Sequence, residues 1–125
     1  FFVEVPPAIL KYLEELKKEY RILILSNTNP YVMSWACSPE FSSQGKSLAD
    51  YCDKLYLSYQ LGCTKPDKGI FYHMLEDSGM VPSETLFVDD GDSNVRIGKE
   101  LGMHTFKPKN GVDWREELSR LLSGL

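Results

Sequence analysis

Cysteine is scarce in this chain of 125 residues, and Cys37, Cys52 and Cys63 show no CxxC spacing. An odd number of unpaired cysteines excludes a disulfide framework and a thiolate zinc centre, and reads as reduced thiols of a cytosolic protein. Histidine is scarcer still: His73 and His104 stand in helix and strand patterns with no ligand partner near them in sequence, and read as structural. No apolar run is long enough to span a bilayer, and no signal peptide is present, so no membrane is expected as a partner. Lys and Arg form no clusters and the net charge is -4, which argues against nucleic acid as the main partner. Repeats, low-complexity tracts and internal linkers are missing. So is an initiating methionine: the chain begins at Phe1, and the expectation is a true start that lies upstream or has been processed away. At this length the expectation is one domain or less, with a modest core.

The most informative stretch is Leu86-Phe87-Val88-Asp89-Asp90-Gly91-Asp92-Ser93-Asn94. An apolar run followed at once by acids fits a strand buried on both faces, as in a parallel sheet. Asp89 and Asp90 then lie at its carboxyl end, the edge of an open α/β sheet where ligands bind. Adjacent carboxylates repel, and a hard cation that takes oxygen ligands would relieve the repulsion. The other reading is that one acid caps the following helix and its neighbour is solvated.

The remaining chain alternates. Phe1–Val5 reads as an extended lead-in or an added strand. Pro6 and Pro7 suit the first turn of an amphipathic helix ending near Tyr20, with Ile9, Leu10, Leu13 and Leu16 on its apolar face. Ile22–Leu25 is a second apolar strand, running into the turn residues Ser26-Asn27-Thr28-Asn29-Pro30. Asn29 caps and Pro30 opens a short helix through Trp35, and 38–46 reads as a loop. Leu55–Ser58 is a third strand, and Gly62–Asp67 a turn. A helix carrying Ile70, Phe71, Met74 and Leu75 stops at Gly79. After the acids, Asp92 or Ser93 caps a helix closed by Gly102. Met103–Phe106 is a last strand and Trp114–Leu122 a closing helix. This order predicts an α/β fold, a three-layer Rossmann-like parallel sheet with helices on both faces.

In such a fold all strand carboxyl ends share one edge, which would gather Ser26 and Asn27, the loop bearing Lys65, and Asp89 with Asp90. Singly, Ser26 and Asn27 read as turn residues, Lys65 as a solvated lysine and Cys63 as a buried thiol. Together they compose a phosphate-and-metal site. The Ser26 hydroxyl and nearby amides can hold phosphate oxygens, Lys65 can neutralise charge on a transferring phosphoryl group, and the acids can hold Mg²⁺. Asp113, far from every motif, serves as a control position.

These residues resemble the haloacid dehalogenase-like (HAD) hydrolase superfamily, especially its subfamily of small cytosolic phosphatases. Ile22–Asn29 looks like the family's second motif, Lys65-Pro66-Asp67 with Ile70-Phe71 like the third, and Leu86–Asp90 with Asn94 and Leu101-Gly102-Met103 like the fourth. Order and spacing agree from about Pro6 to Phe106. The resemblance implies that Ser26 and the Asn27 amide bind phosphate and that Lys65 stabilises a covalent intermediate. It makes Asp90 a direct Mg²⁺ ligand, Asp89 a direct or water-mediated one, and Gly91 and Asn94 supporting residues. The substrate implied is a small phosphorylated metabolite, hydrolysed through an aspartyl-phosphate.

The family's first motif, an apolar strand ending in Asp-x-Asp, is missing. Asp50–Asp53 has the wrong spacing, and Asp90-Gly91-Asp92 belongs to the fourth motif. The chain therefore reads as a single partial HAD-like core, residues 1–125, without cap domain, first motif or central nucleophile strand. Two strand pairs would remain, with a gap filled by Phe1–Val5, a second chain or a missing N-terminal segment. Turnover by the chain alone is not expected. Two other readings stand beside it: a dehalogenase on the same fold, and a non-catalytic binding or regulatory module. A phosphate-receiver domain is disfavoured, because there the acids precede the lysine.

Overall fold

A computed structural model describes residues 7–109 and 112–124, and the lead-in expected at Phe1–Val5 lies outside them. The chain divides into two compact units, Phe1–Thr64 and Lys65–Leu125.

The first unit opens with α1 (Pro7–Lys17), which buries Leu10 and ends three residues short of Tyr20. β1 (Leu23–Ser26) pairs in parallel with β2 (Lys54–Leu57), in the register Leu23 to Lys54 through Ser26 to Leu57. Asp53 starts the sheet from both sides. Its N–H donates to the Ile22 carbonyl at 2.7 Å, and its carboxylate accepts the Ile22 N–H at the same distance. Between the strands lies α2 (Pro30–Ala36), capped by Asn29, whose Oδ1 accepts the Val32 N–H at 3.0 Å. The segment 38–46, expected to be a loop, contains a single 3-10 turn at Pro39–Phe41, and a second follows at Leu48–Tyr51. Phe41 meets Trp35 of α2 edge-to-face at 5.3 Å, and Tyr51 packs on Phe41 at 6.2 Å. With Leu10, Met33, Ala36 and Leu57 these side chains form the core of the unit.

Two expectations are corrected here. Ser58 does not end the third strand; it begins α3 (Ser58–Leu61), which Gly62 closes. The run Leu86–Val88, expected to be buried on both faces, has Phe87 buried, Leu86 half-buried and Val88 exposed, and β1 is half-buried along its length. Among the described residues it pairs with β2 alone, so its second edge lacks the neighbour that would enclose it.

The second unit holds α4 (Lys68–Ser78), capped by Asp67, which accepts the Gly69 N–H at 3.0 Å. Ile70, Phe71 and Met74 form its buried face, at the spacing that puts apolar residues on one side of a helix. β3 (Leu86–Val88) pairs in parallel with β4 (His104–Phe106). Between them runs α5 (Asp92–Glu100), and α6 (Arg115–Ser123) closes the chain. Phe87 packs edge-to-face on Phe71 with ring centroids 5.3 Å apart. Gly98 lets α5 approach the sheet: a Cβ there would lie 2.9 Å from the Phe87 ring and 3.2 Å from the Thr105 methyl. Neither Asp92 nor Ser93 caps α5. Gly91 holds the cap position without a side-chain bond, and Asp92 sits inside the first turn, paired with Lys107. A carboxylate there still complements the helix dipole.

Candidate functional site

The Phe87–Phe71 contact anchors β3, and the ladder continues one step further, the Asp89 N–H donating to the Phe106 carbonyl at 3.2 Å. This fixes the backbone from which the two acids project, and their side chains diverge in environment. The Asp89 side chain is 8% exposed. Its Oδ2 accepts the Lys65 ammonium at 2.6 Å. Its Oδ1 accepts the Gly91 N–H at 2.8 Å and the Asn94 side-chain amide at 3.2 Å. Burial raises the Asp89 carboxyl, but the Lys65 hydrogen bond, the Gly91 and Asn94 donors and the Lys65 charge outweigh it and hold it below the ordinary value.

Gly91 is required by close approach, since a Cβ there would meet Asn94 Nδ2 at 2.9 Å and Asp89 Oδ1 at 3.2 Å. Asn94, in the first turn of α5, reaches back to the acid. The capping reading of the acids does not hold, because α5 has no side-chain cap.

Asp90 is exposed, and no described residue donates a hydrogen bond or ion pair to it. A concavity of about 410 Å³ opens beside it, walled by Val88, Pro108, Lys109, Val112 and Trp114. The two carboxylates offer oxygen donors only, the chemistry that suits Mg²⁺. Among the described residues no group of three or more His, Cys, Asp or Glu is gathered at one point. The pair thus fits as part of a magnesium coordination sphere.

Ser26 and Asn27 belong to the first unit. Ser26 ends β1, half-buried and opposite Leu57 in the register, and Asn27 is exposed. Thr28 is held by Ser58: its N–H donates to Ser58 Oγ at 2.9 Å, and Ser58 Oγ donates to its carbonyl at 3.1 Å. Ser58 escapes a reading of sequence because it looks like the last residue of the strand Leu55–Leu57. A polar residue just past an apolar strand, opposite a turn, is the available signal.

The other candidates settle into structural places. Cys52 is the buried thiol, its pKa pushed up by burial and so kept protonated, whereas Cys63 is half-buried, not buried as expected. His104 bonds the Ser83 carbonyl through Nε2 at 2.9 Å. Asp50 accepts the Ser47 N–H at 2.8 Å. Asp113 is a poor distant control. It stands in sequence between Val112 and Trp114, which line the concavity, and the Arg115 guanidinium and N–H pull its carboxyl down to about 2. Exposed Glu76 on α4 is a better control.

The chain is similar to known proteins of one family. Residues 3–102 match the model of a haloacid dehalogenase-like hydrolase family. D-ribitol-5-phosphate phosphatase of Bacteroides thetaiotaomicron is 65% identical over 123 residues, covering 98% of this chain and 60% of the relative. A predicted HAD-like family hydrolase from Porphyromonas gingivalis superposes with a TM-score of 0.92 at 46% identity, over 95% of this chain and 58% of that one. A HAD family enzyme of Bacteroides thetaiotaomicron, solved as an aspartate-to-alanine variant with magnesium and inorganic phosphate, superposes with a TM-score of 0.86 at 38% identity. That match covers 92% of this chain and 59% of the other. The chain thus spans about 60% of the length of the curated relative it matches. The likeness bears out the α/β fold class.

Proposed function

The chain belongs to the haloacid dehalogenase-like hydrolase family, and from that premise we propose that it carries the phosphate-binding, lysine and magnesium-binding parts of a cytoplasmic phosphomonoesterase. The observation that carries the reading is the part-buried Lys65–Asp89 pair beside an exposed Asp90 to which no described residue donates. A buried ion pair is weak as a device for stability, so its retention at a strand end points to chemistry.

The roles follow from the groups. The Ser26 hydroxyl and the Asn27 amide bind phosphoryl oxygens. Lys65, held by Asp89, presents a fixed positive charge to the transferring group, and because it is already in place no reorganisation is needed as charge develops. Asp90 holds Mg²⁺ directly, and Asp89, with its oxygens already accepting three hydrogen bonds, holds it directly or through water. When bound, magnesium neutralises the phosphate charge that would repel an attacking carboxylate. The attacking aspartate is not among these 125 residues, which contain no Asp-x-Asp after an apolar strand. In the reaction we propose, that aspartate forms a bond to phosphorus as the P–O bond to the alcohol breaks, and water then releases inorganic phosphate. The half-buried β1, which among the described residues pairs with β2 alone, supports a missing strand. The 125 residues alone are therefore inactive.

The substrate class we propose is a phosphorylated polyol, on the strength of the relative named as a D-ribitol-5-phosphate phosphatase. Assay of the full gene product with D-ribitol 5-phosphate, p-nitrophenyl phosphate and 2-chloropropionate, each with Mg²⁺ or with EDTA, tests the reading. Phosphate release that needs Mg²⁺ supports it. Chloride release without metal would favour a dehalogenase. Absence of any turnover would favour a binding module, the reading that the missing nucleophile motif supports.

A further inference from the structure

We infer that Ser58 is a positioning residue for phosphoryl binding, acting through the loop at 26–29, an inference that rests on the reading of Ser26 and Asn27 as the phosphate-binding residues. The register of β1 and β2 ends at Ser26 opposite Leu57. One step later β2 turns into α3, so the backbone ladder cannot continue to support the loop. The Thr28 N–H and carbonyl would then lack their strand partners.

Ser58 supplies both. Its hydroxyl has one proton to give and lone pairs to accept, and it uses them on the Thr28 carbonyl at 3.1 Å and the Thr28 N–H at 2.9 Å. Ser58 is 6% exposed, so water does not take over either bond without opening the fold. At the far end, Asn29 is fixed by its bond to the Val32 N–H. Asn27 is thus bracketed between a paired strand residue and a clamped one, and its peptide is set from both sides. Donors held in advance stabilise developing phosphoryl charge better than donors that must be ordered. Ser58 touches neither substrate nor metal in this account; it acts through Thr28.

The test uses the full gene product and two readouts, kcat/KM for p-nitrophenyl phosphate and the inhibition constant of inorganic phosphate. Ser58→Ala is expected to lower kcat/KM by about 10–100-fold and to weaken phosphate inhibition by a similar factor, while Ser58→Thr, which keeps the hydroxyl, retains most of both. Ser58→Cys keeps the side-chain size with a poor hydrogen-bonding group, and gives the same readouts if the alanine variant does not fold. A lowered melting temperature with unchanged phosphate inhibition in Ser58→Ala or Ser58→Cys would overturn the inference and leave Ser58 a packing residue. Ser26→Ala separates the two levels. If it weakens phosphate inhibition while the Ser58 variants do not, the reading of Ser26 stands and the role of Ser58 falls. If neither position affects inhibition, the phosphate-binding reading itself falls, and the role of Ser58 with it.

Discussion

The ammonium of Lys65 lies 2.6 Å from Asp89 Oδ2, with 12% of one side chain and 8% of the other exposed. Residues 24 positions apart are thereby joined as a single charged unit inside the second compact half of the chain. Its neutrality depends on both members. Replacing Lys65 by Met leaves the Asp89 carboxylate buried with only the Gly91 and Asn94 donors, and is expected to destabilise the protein by about 3–5 kcal/mol. Pairing Lys65→Met with Asp89→Leu should recover most of that loss. Urea denaturation of the single and double variants measures both quantities.

The same pair sets an acid limb of stability. Asp89 titrates below its ordinary value of 3.8 in the folded state. A depressed carboxyl binds its proton more readily when unfolded, so its contribution is fully present above the unfolded value and is lost as pH falls through the folded one. Denaturation midpoints between pH 7 and pH 2 should fall more steeply for the natural sequence than for Asp89→Asn, which has no proton to take up at that position.

Gly91 tests the packing around the acid. Gly91→Ala places a methyl 2.9 Å from Asn94 Nδ2 and must displace either that amide or Asp89. A cost of about 1–3 kcal/mol is expected, together with loss of the Asn94 bond, which a shift of the Asn94 side-chain amide resonances in NMR would report.

Phe71, fully buried and edge-on to Phe87, ties α4 to the strand that carries the acids. Phe71→Ala should cost about 3–5 kcal/mol by thermal or urea unfolding. Phe71→Leu should cost less, since it keeps most of the volume.

Much of this was legible in sequence because the signals are local. The apolar run at Leu86–Val88, the Asn29 cap and the Gly79 stop each depend on neighbours a few residues away. The acids at 89 and 90 could be placed at a strand end for the same reason. Their division of labour could not. It depends on Lys65 and Asn94 reaching Asp89 while leaving Asp90 exposed, and adjacency in sequence gives two identical carboxylates no reason to differ. Ser58 was hidden similarly: β2 ends one residue earlier than its β-prone sequence suggests, and that residue turns a strand serine into a clamp on Thr28. Asp92 matched the pattern of a helix cap, but the pairing with Lys107 and the position of Gly91 place it one residue inside the helix.

The central claim is that Asp90 is the metal-holding carboxylate of a phosphomonoesterase site. It is tested most directly by the Mg²⁺ concentration that gives half-maximal phosphate release from p-nitrophenyl phosphate by the full gene product, with Asp90→Asn and Glu76→Gln compared in parallel. The account predicts that Asp90→Asn raises that concentration by roughly 100-fold or abolishes turnover, while Glu76→Gln leaves it unchanged. An unchanged magnesium requirement in Asp90→Asn would contradict it.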